Sequence, residues 1–327
     1  MSEIIILIVI LTILFEISNG WNDSANAIAT VVSTRVLSPL KAVILAAIMN
    51  ILGAFFSTAV AKTIGSGIVN PSVVTNDVII IALLVSFGWN TLMTRMGMPI
   101  SCSHALIGAL MGSGFAFGGY KILNFHGLTK IFLSLLISPV IGLVAGYIFM
   151  KILIVLFGNL PHGTVNKIFG KLQLISAGAM GFSHGSNDAQ KGMGIITMAL
   201  FGAGIIKSLH VPLWVILVCA LSIGTGTALG GWRVIKTLGI NMIKLEPVHG
   251  FSAETASAGT ILISSHFGLP VSTTHVISTA IMGVGATKRF SAVRWGIAGK
   301  IVLAWIFTLP FCFAGGWIVV KFLQLLK

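Results

Sequence analysis

The chain has 327 residues, of which 56% are hydrophobic and only 8% charged, with a mean hydropathy of +1.04. Soluble domains carry about 25% charged residues, so a water-soluble globular fold is excluded, and strand alternation with a polar lumen face is absent, which excludes a β-barrel. The net charge of +13 comes mostly from Lys and Arg at the ends of apolar runs, as expected of residues flanking membrane segments; it points to a lipid bilayer as partner and not to nucleic acid.

In chain order, the first half contains six apolar segments, at about 3–19, 22–36, 41–61, 77–95, 99–117 and 129–157. The opening run has Glu3 and no basic leader, so a cleaved signal peptide is not expected. The sixth segment contains Ile131–Met150, 20 residues without a charge between Lys130 and Lys151; a spanning helix needs about 20 apolar residues. A polar stretch, "GNLPHGTVNK" at 158–167, follows. A second series of about six segments then ends in another uncharged 20-residue window, Ile301–Val320, between Lys300 and Lys321. Cys102, Cys219 and Cys312 lie in apolar stretches without disulfide or metal spacing and read as packing residues.

The two series are copies. "SNGWND" from Ser18 matches "SHGSND" from Ser183, 165 positions on. "GMPISCSHALIGALMGSG" from Gly97 matches "GLPVSTTHVISTAIMGVG" from Gly268, 171 positions on. Lys130, Pro139 and Lys151 match Lys300, Pro310 and Lys321 at an offset of 170 or 171. The organisation predicted is therefore a first transmembrane repeat over 1–157, a linker over 158–167 and a second repeat over 168–327. Paired segments interrupted by Gly and Pro point to a secondary transporter with its site at the repeat interface. The fold class expected is an all-α integral membrane protein of about ten to twelve membrane segments, in two inverted repeats with broken or re-entrant helices. If one segment per half is re-entrant, each half crosses an odd number of times, which is what inverts the halves.

Of seven acidic residues, Glu16, Asp23, Asp188 and Glu254 fall inside or at the break of an apolar segment. A charge there costs at least ~2.5–3.5 kcal/mol on insertion scales, which makes it a functional candidate. Asp23 and Asp188 recur at equivalent positions, whereas the counterpart of Glu16 is Gly181. Gly20 and Gly185 are expected to break the preceding helix, with Asn22-Asp23 and Asn187-Asp188 capping a new one. Asn26 then shares a face with Asn22 and Asp23, and Gln190 and Lys191 lie near Asp188. Such a cluster of hard oxygens suits Na⁺ or a proton, with Asp23 and Asp188 the candidate Na⁺ ligands; its amides could equally serve an oxyanion. Lys191 is placed to neutralise Asp188 or to meet the anion.

The second repeated block complements the first. Pro99 and Pro270 are expected in a first helical turn, followed by Ser101, Cys102 and Ser103, or by Ser272, Thr273 and Thr274. Helix N-termini with added hydroxyls form anion sites without a basic side chain. The alternative is that these hydroxyls only bond back to helical carbonyls. His104 and His275 also correspond, either as packed residues or as site members. Glu254, among Ser252, Thr255, Ser257 and Thr260, has no acidic twin and is a candidate coupling carboxylate. Gly142/Gly146 and Gly226/Gly230 permit close helix contact. Ser103-His104 and Thr274-His275 are sequence neighbours that do not face each other on a helix, and no H-E-x-x-H is present, so an enzyme is not expected.

Together, "GWNDSANAIATVVSTRVLSP" (Gly20–Pro39), "SHGSNDAQKGMGIITMAL" (Ser183–Leu200), "GLPVSTTH" (Gly268–His275) and its partner "GMPISCSH" resemble the inorganic phosphate transporter (Pit-type) family over essentially the full chain. That resemblance implies an inverted-repeat secondary transporter, dimeric in the cell membrane, carrying phosphate with Na⁺ or H⁺; the family's bacterial members include carriers of neutral metal–phosphate complexes. It implies that Asp23 and Asp188 are signature aspartates beside Asn22, Asn26 and Asn187. It further implies that Ser101, Ser103, Thr273 and Thr274 are substrate-side hydroxyls and that Glu254 is the buried glutamate. Trp21 and Cys102 depart from the family pattern, and the chain lacks the large central loop of longer members. Some compact relatives carry sulfate, which is the alternative substrate; an anion channel is the alternative mechanism.

Overall fold

The computed structural model describes residues 2–326. Among them the fold is helical throughout, apart from an isolated bridge between Val69 and Leu123. The first half comprises α1 (Glu3–Ser33), α2 (Pro39–Ala54), α3 (Ala59–Gly67), α4 (Asn76–Met96), α5 (Cys102–Gly118) and α6 (Phe125–Phe157). The second comprises α7 (His162–Gly202), α8 (Leu213–Leu229), α9 (Trp232–Lys236, continued by a π-helical turn Thr237–Asn241), α10 (Pro247–His266), α11 (Thr273–Lys288) and α12 (Trp295–Leu325). The succession of long helix, bent pair, hairpin and long helix is the same in both halves. The chain leaves helix between α6 and α7 only over Gly158–Pro161, so most of the polar 158–167 stretch is helical.

The expected breaks at Gly20 and Gly185 do not occur. Segments 3–19 and 22–36 merge into α1, and α7 runs unbroken through Gly185. Asp23 and Asp188 are therefore mid-helix residues and not N-caps. The glycines serve packing instead. A Cβ on Gly20 would collide with the Ile223 carbonyl of α8, and one on Gly185 with the Asn50 carbonyl of α2. Missing side chains let these backbones touch, and nothing in a single glycine forces a helix to end. The break falls in segment 41–61, which divides into α2 and α3 bent by 73°; α8 and α9 are bent by 63°.

By length and apolarity four helices among the described residues can cross a membrane, α1, α4, α6 and α12, or up to six spans if each bent pair is one. That is fewer than the ten to twelve segments expected, for two reasons. The 41-residue α7 carries Ser, His, Asn, Asp, Gln and Lys in its middle, and α5 and α11 have only 17 and 16 residues, about 25 Å at 1.5 Å per residue against a core of about 30 Å.

The glycine pairs are partly as expected. Gly142 and Gly146 of α6 abut Val276 and Ala280 of α11, and Gly226 abuts Ile17. Gly230 instead ends α8 at φ 69°, a left-handed conformation that favours glycine. Outward faces of α6 and α12 expose Leu136, Val140, Ile306 and Phe311, as a lipid-facing surface does. Inside, one apolar cluster includes Phe15, Ile64, Leu106 and Ile196, and another Ile28, Met180, Ile277 and Ile281. α1 and α7 pair antiparallel: Glu16 meets Gly192 at one end, Asp23 meets His184 midway, and Thr34 meets Gln173 at the other.

Candidate functional site

Four helices bring the central cluster together. α1 supplies Asp23 and Asn26, α7 supplies His184, Asp188 and Lys191, and the first turn of α11 supplies Thr273 and Thr274; the first turn of α5 closes in beside them. Pro99 and Pro270 lie two residues before the N-caps Ser101 and Ser272, not inside the first turn. They hold the approach extended, since a residue before proline avoids the helical region. Upstream, Gly97 and Gly268 take positive φ of 72° and 66° at the ends of α4 and α10. Each N-cap hydroxyl accepts a hydrogen bond from a backbone N–H, that of His104 at 3.2 Å and that of His275 at 3.3 Å. Each thereby satisfies one of the orphan donors of its helix.

The two threonines of α11 reach across both repeats. Thr274 Oγ1 donates to Asp23 Oδ1 at 2.9 Å, and Thr273 Oγ1 donates to Asp188 Oδ2 at 3.2 Å. Asn26 Nδ2 donates to Thr274 Oγ1 at 3.0 Å and lies 3.4 Å from that of Thr273. Lys191 Nζ stands 2.8 Å from Asp188 Oδ2. The first half does not reciprocate: Ser103 Oγ donates to the Val271 carbonyl at 3.3 Å, and Cys102 occupies the position equivalent to Thr273. Asp23 and Asp188 are 1% and 0% exposed, so the cluster is closed to water on both sides.

Asn22 and Asn187 flank the cluster as a matched pair. Asn22 Nδ2 donates to Thr94 Oγ1 at 2.8 Å, and Asn187 Nδ2 to Ser265 Oγ at 2.9 Å. Thr94 and Ser265 are themselves 171 positions apart, so the repeat preserves the bond as well as the residue. The buried Oδ1 atoms of Asn22, Asn26 and Asn187 and Oδ1 of Asp188 have no hydrogen-bond partner. Buried acceptors are normally satisfied, and each of these is a hard oxygen of the kind a cation takes.

Sequence reasoning missed His184. Asn50 Nδ2 donates to Thr227 Oγ1 at 3.0 Å, and Thr227 in turn donates to the Ile223 carbonyl. Asn50 Oδ1 therefore faces His184 Nδ1 at 2.6 Å and accepts from it. That leaves His184 Nε2 directed at Asp188 Oδ2, 3.3 Å away, and at Asp23 Oδ2, 3.6 Å away. Asp23, His184 and Asp188 also form the one group among the described residues whose His and carboxylate atoms are spaced for a metal ion. The available signal was position: His184 lies one turn before Asp188, on the same helical face. Its first-half counterpart is Asn19, so the repeat comparison, which singled out identities, passed over it.

Other candidates lie elsewhere. Glu254 accepts from Thr30, from Ser176 and, at 3.1 Å, from Gln173 Nε2; Thr30 is seven residues beyond Asp23 on α1, about 10 Å away along the axis. Glu16, seven residues before Asp23, accepts from the Gly192 N–H at 2.7 Å and from Asn19 Nδ2 at 3.3 Å. A polar column thus runs along the α1–α7 seam from Glu16 to Glu254. Gln190 ties α7 to the Ala61 N–H of α3 and takes no part in the central cluster. His104 and His275 stack at 4.8 Å, His275 also lies 4.0 Å from the Trp305 ring, and the pair floors a groove of about 580 Å³ between Pro139 of α6 and Pro310 of α12.

A family model described as phosphate transporter family matches residues 19–163 and 159–316. A protein of Bacillus subtilis (strain 168) named "Probable low-affinity inorganic phosphate transporter" is 46% identical over 308 residues, covering 93% of this chain and 92% of that protein. A protein of the same name in Rhizobium meliloti (strain 1021) is 45% identical, covering 93% and 91%. A solved structure titled "The sodium-dependent phosphate transporter" superimposes with a TM-score of 0.91 at 25% identity, covering both chains completely.

Proposed function

Because the chain belongs to the phosphate transporter family, we propose that it moves inorganic phosphate across the cell membrane together with a cation, Na⁺ or H⁺, by alternating access. The observation that carries this reading is the double bridge from one helix end: Thr273 and Thr274, in the first turn of α11, donate to Asp188 of α7 and Asp23 of α1. An anion-favouring helix N-terminus and two carboxylates share one closed, buried cluster. Neither group is worth burying alone; each becomes tolerable when an anion and a cation enter together.

In this reading phosphate lies against the first turns of α5 and α11, taking donors from Ser101, Ser103, Ser272, Thr273 and Thr274 and from the amides of Asn22 and Asn187. The coupling cation lies on the Asp23–Asp188 side with Asn26, and Glu254 serves as a second coupling carboxylate. Alternating access follows from rocking two inverted repeats, 1–157 and 168–327, about this centre. The antiparallel pairing of the equivalent helices α1 and α7 and the repetition of the helix order support that symmetry. The bent pairs and short α5 and α11 act as broken or re-entrant segments, which raises the membrane segments to ten to twelve, and the protein works as a homodimer.

Radiolabelled phosphate uptake into proteoliposomes tests the reading, with and without an imposed Na⁺ or pH gradient. Gradient-driven accumulation is expected, and uptake indifferent to both gradients overturns the coupling. Sulfate, which has no proton to donate to a carboxylate near neutral pH, is expected to compete weakly; full competition makes sulfate a substrate, and single-channel currents in place of stoichiometric cotransport make the protein a channel.

A further inference from the structure

The repeat alignment sets Asn26 opposite Lys191: three residues after Asp23 the first half has a neutral amide, and three residues after Asp188 the second half has an ammonium. The consequences differ at the two aspartates. Beside Asp23, Asn26 Nδ2 is held by the α11 threonines and its Oδ1 is buried without a partner, an acceptor left for an incoming cation. Beside Asp188, Lys191 Nζ is 2.8 Å from the carboxylate, and its side chain is 1% exposed. A fully buried lysine persists only when paired, and no other ion pair to Lys191 forms among the described residues; Glu16, the next carboxylate along the seam, bonds to Gly192 and Asn19 instead.

We propose that Lys191 is a tethered substitute for a second coupling cation. The duplicated site offers two aspartates, but in this chain the ammonium occupies the place of an ion at Asp188, so of the two aspartates only Asp23, with Asn26, takes a free cation. Lys191 thereby sets how many cations the aspartate pair takes. A mobile cation at Asp188 would have to approach a fixed positive charge in a low-dielectric interior, where like charges repel strongly. This inference rests on the assignment of the aspartate pair to the cation in the proposed function.

The test is a count of bound ²²Na⁺ on purified protein without phosphate, for wild type, Lys191→Asn and the doubly neutralised Asp188→Asn/Lys191→Asn. Lys191→Asn gives the second half the residue the first half has, and it is expected to bind one Na⁺ more per chain than wild type. The double variant is expected to return to the wild-type count. In proteoliposomes, the Hill coefficient for Na⁺ in phosphate uptake should rise by about one in Lys191→Asn. An unchanged Na⁺ count in folded Lys191→Asn overturns the proposal. If that variant does not fold, the double variant decides: a count equal to wild type supports the substitution, and the loss of one Na⁺ overturns it. The binding count needs no phosphate, so failed phosphate uptake would strike the proposed function and leave this result standing.

Discussion

Thr274 donates a hydrogen bond to Asp23 across 251 positions of the chain, at 2.9 Å and fully buried. The bond joins the helix end of the second repeat to the mid-helix carboxylate of the first. Asn26 donates to the same hydroxyl at 3.0 Å, so Thr274 is held as both donor and acceptor. The short chain Asn26–Thr274–Asp23 couples any movement of α11 to the charge on α1.

Asp23→Asn is expected to abolish gradient-driven phosphate uptake while the protein still folds, because Asn keeps the shape and accepts from Thr274 but loses the charge. Hydrogen bonds to charged groups contribute about 1.5–3 kcal/mol, which corresponds to a loss of roughly ten- to more than hundredfold in ligand affinity. Proteoliposome uptake at equal reconstituted protein checks it; normal accumulation removes Asp23 from the coupling site.

Thr274→Val removes the bridge and leaves Asn26 Nδ2 without one acceptor, whereas Thr274→Ser retains the hydroxyl. Uptake should fall by about tenfold or more in the valine variant and recover substantially in the serine variant. A double-mutant cycle with Asn26→Ala should give a coupling energy on the order of 0.5–3 kcal/mol, since the two residues are in contact. Additive effects would show that the bridge is incidental.

Gly185→Ala should destabilise the protein, because the new Cβ would overlap the Asn50 carbonyl of α2 and neither backbone can yield without separating the helices. Overpacking of this kind costs typically about 1–3 kcal/mol. Gly163→Ala, in the first turn of α7 with open space around it, should be neutral or slightly stabilising through helix propensity. Thermal unfolding in detergent compares the two. Equal Tm values would mean that α2 and α7 do not touch at Gly185.

Glu254→Gln keeps one of the two acceptor oxygens, enough for Thr30 and Gln173 or for Ser176 but not for all three, and removes the charge; Glu254→Leu leaves Thr30, Ser176 and Gln173 facing an apolar group. Each buried polar group left unsatisfied costs about 1–3 kcal/mol. The leucine variant should therefore lose much more Tm than the glutamine variant. If Glu254 takes part in coupling, the glutamine variant should also lose cation dependence of uptake at near-normal stability; retained dependence assigns Glu254 a structural role.

Composition alone determined that this chain belongs in a bilayer, because almost no soluble arrangement can bury so much apolar surface with so few charges. Self-comparison determined the duplication, the paired Asn-Asp and Pro-Ser/Thr blocks and the isolated carboxylates, since a charge retained in an apolar segment is visible one residue at a time. Local patterns misjudged what the glycines do. Gly20 and Gly185 looked like breaks, but their role is contact with α8 and α2, and contact partners are distant in sequence. Only the tertiary structure decided that Asp23 and Asp188 are mid-helix. It also decided that His184 stands between them with its ring oriented by Asn50, and that Thr273 and Thr274 of one repeat serve the aspartates of both. Gln190 bonds to the Ala61 N–H of α3, and His104 and His275, which recur in the repeat, lie against each other, because a helix sends residues a position or two apart toward different partners. The reason is common to all of these: the deciding contacts join helices distant in sequence, α11 to α7 across 85 positions and α11 to α1 across 251, and such residues become neighbours only when the helices pack.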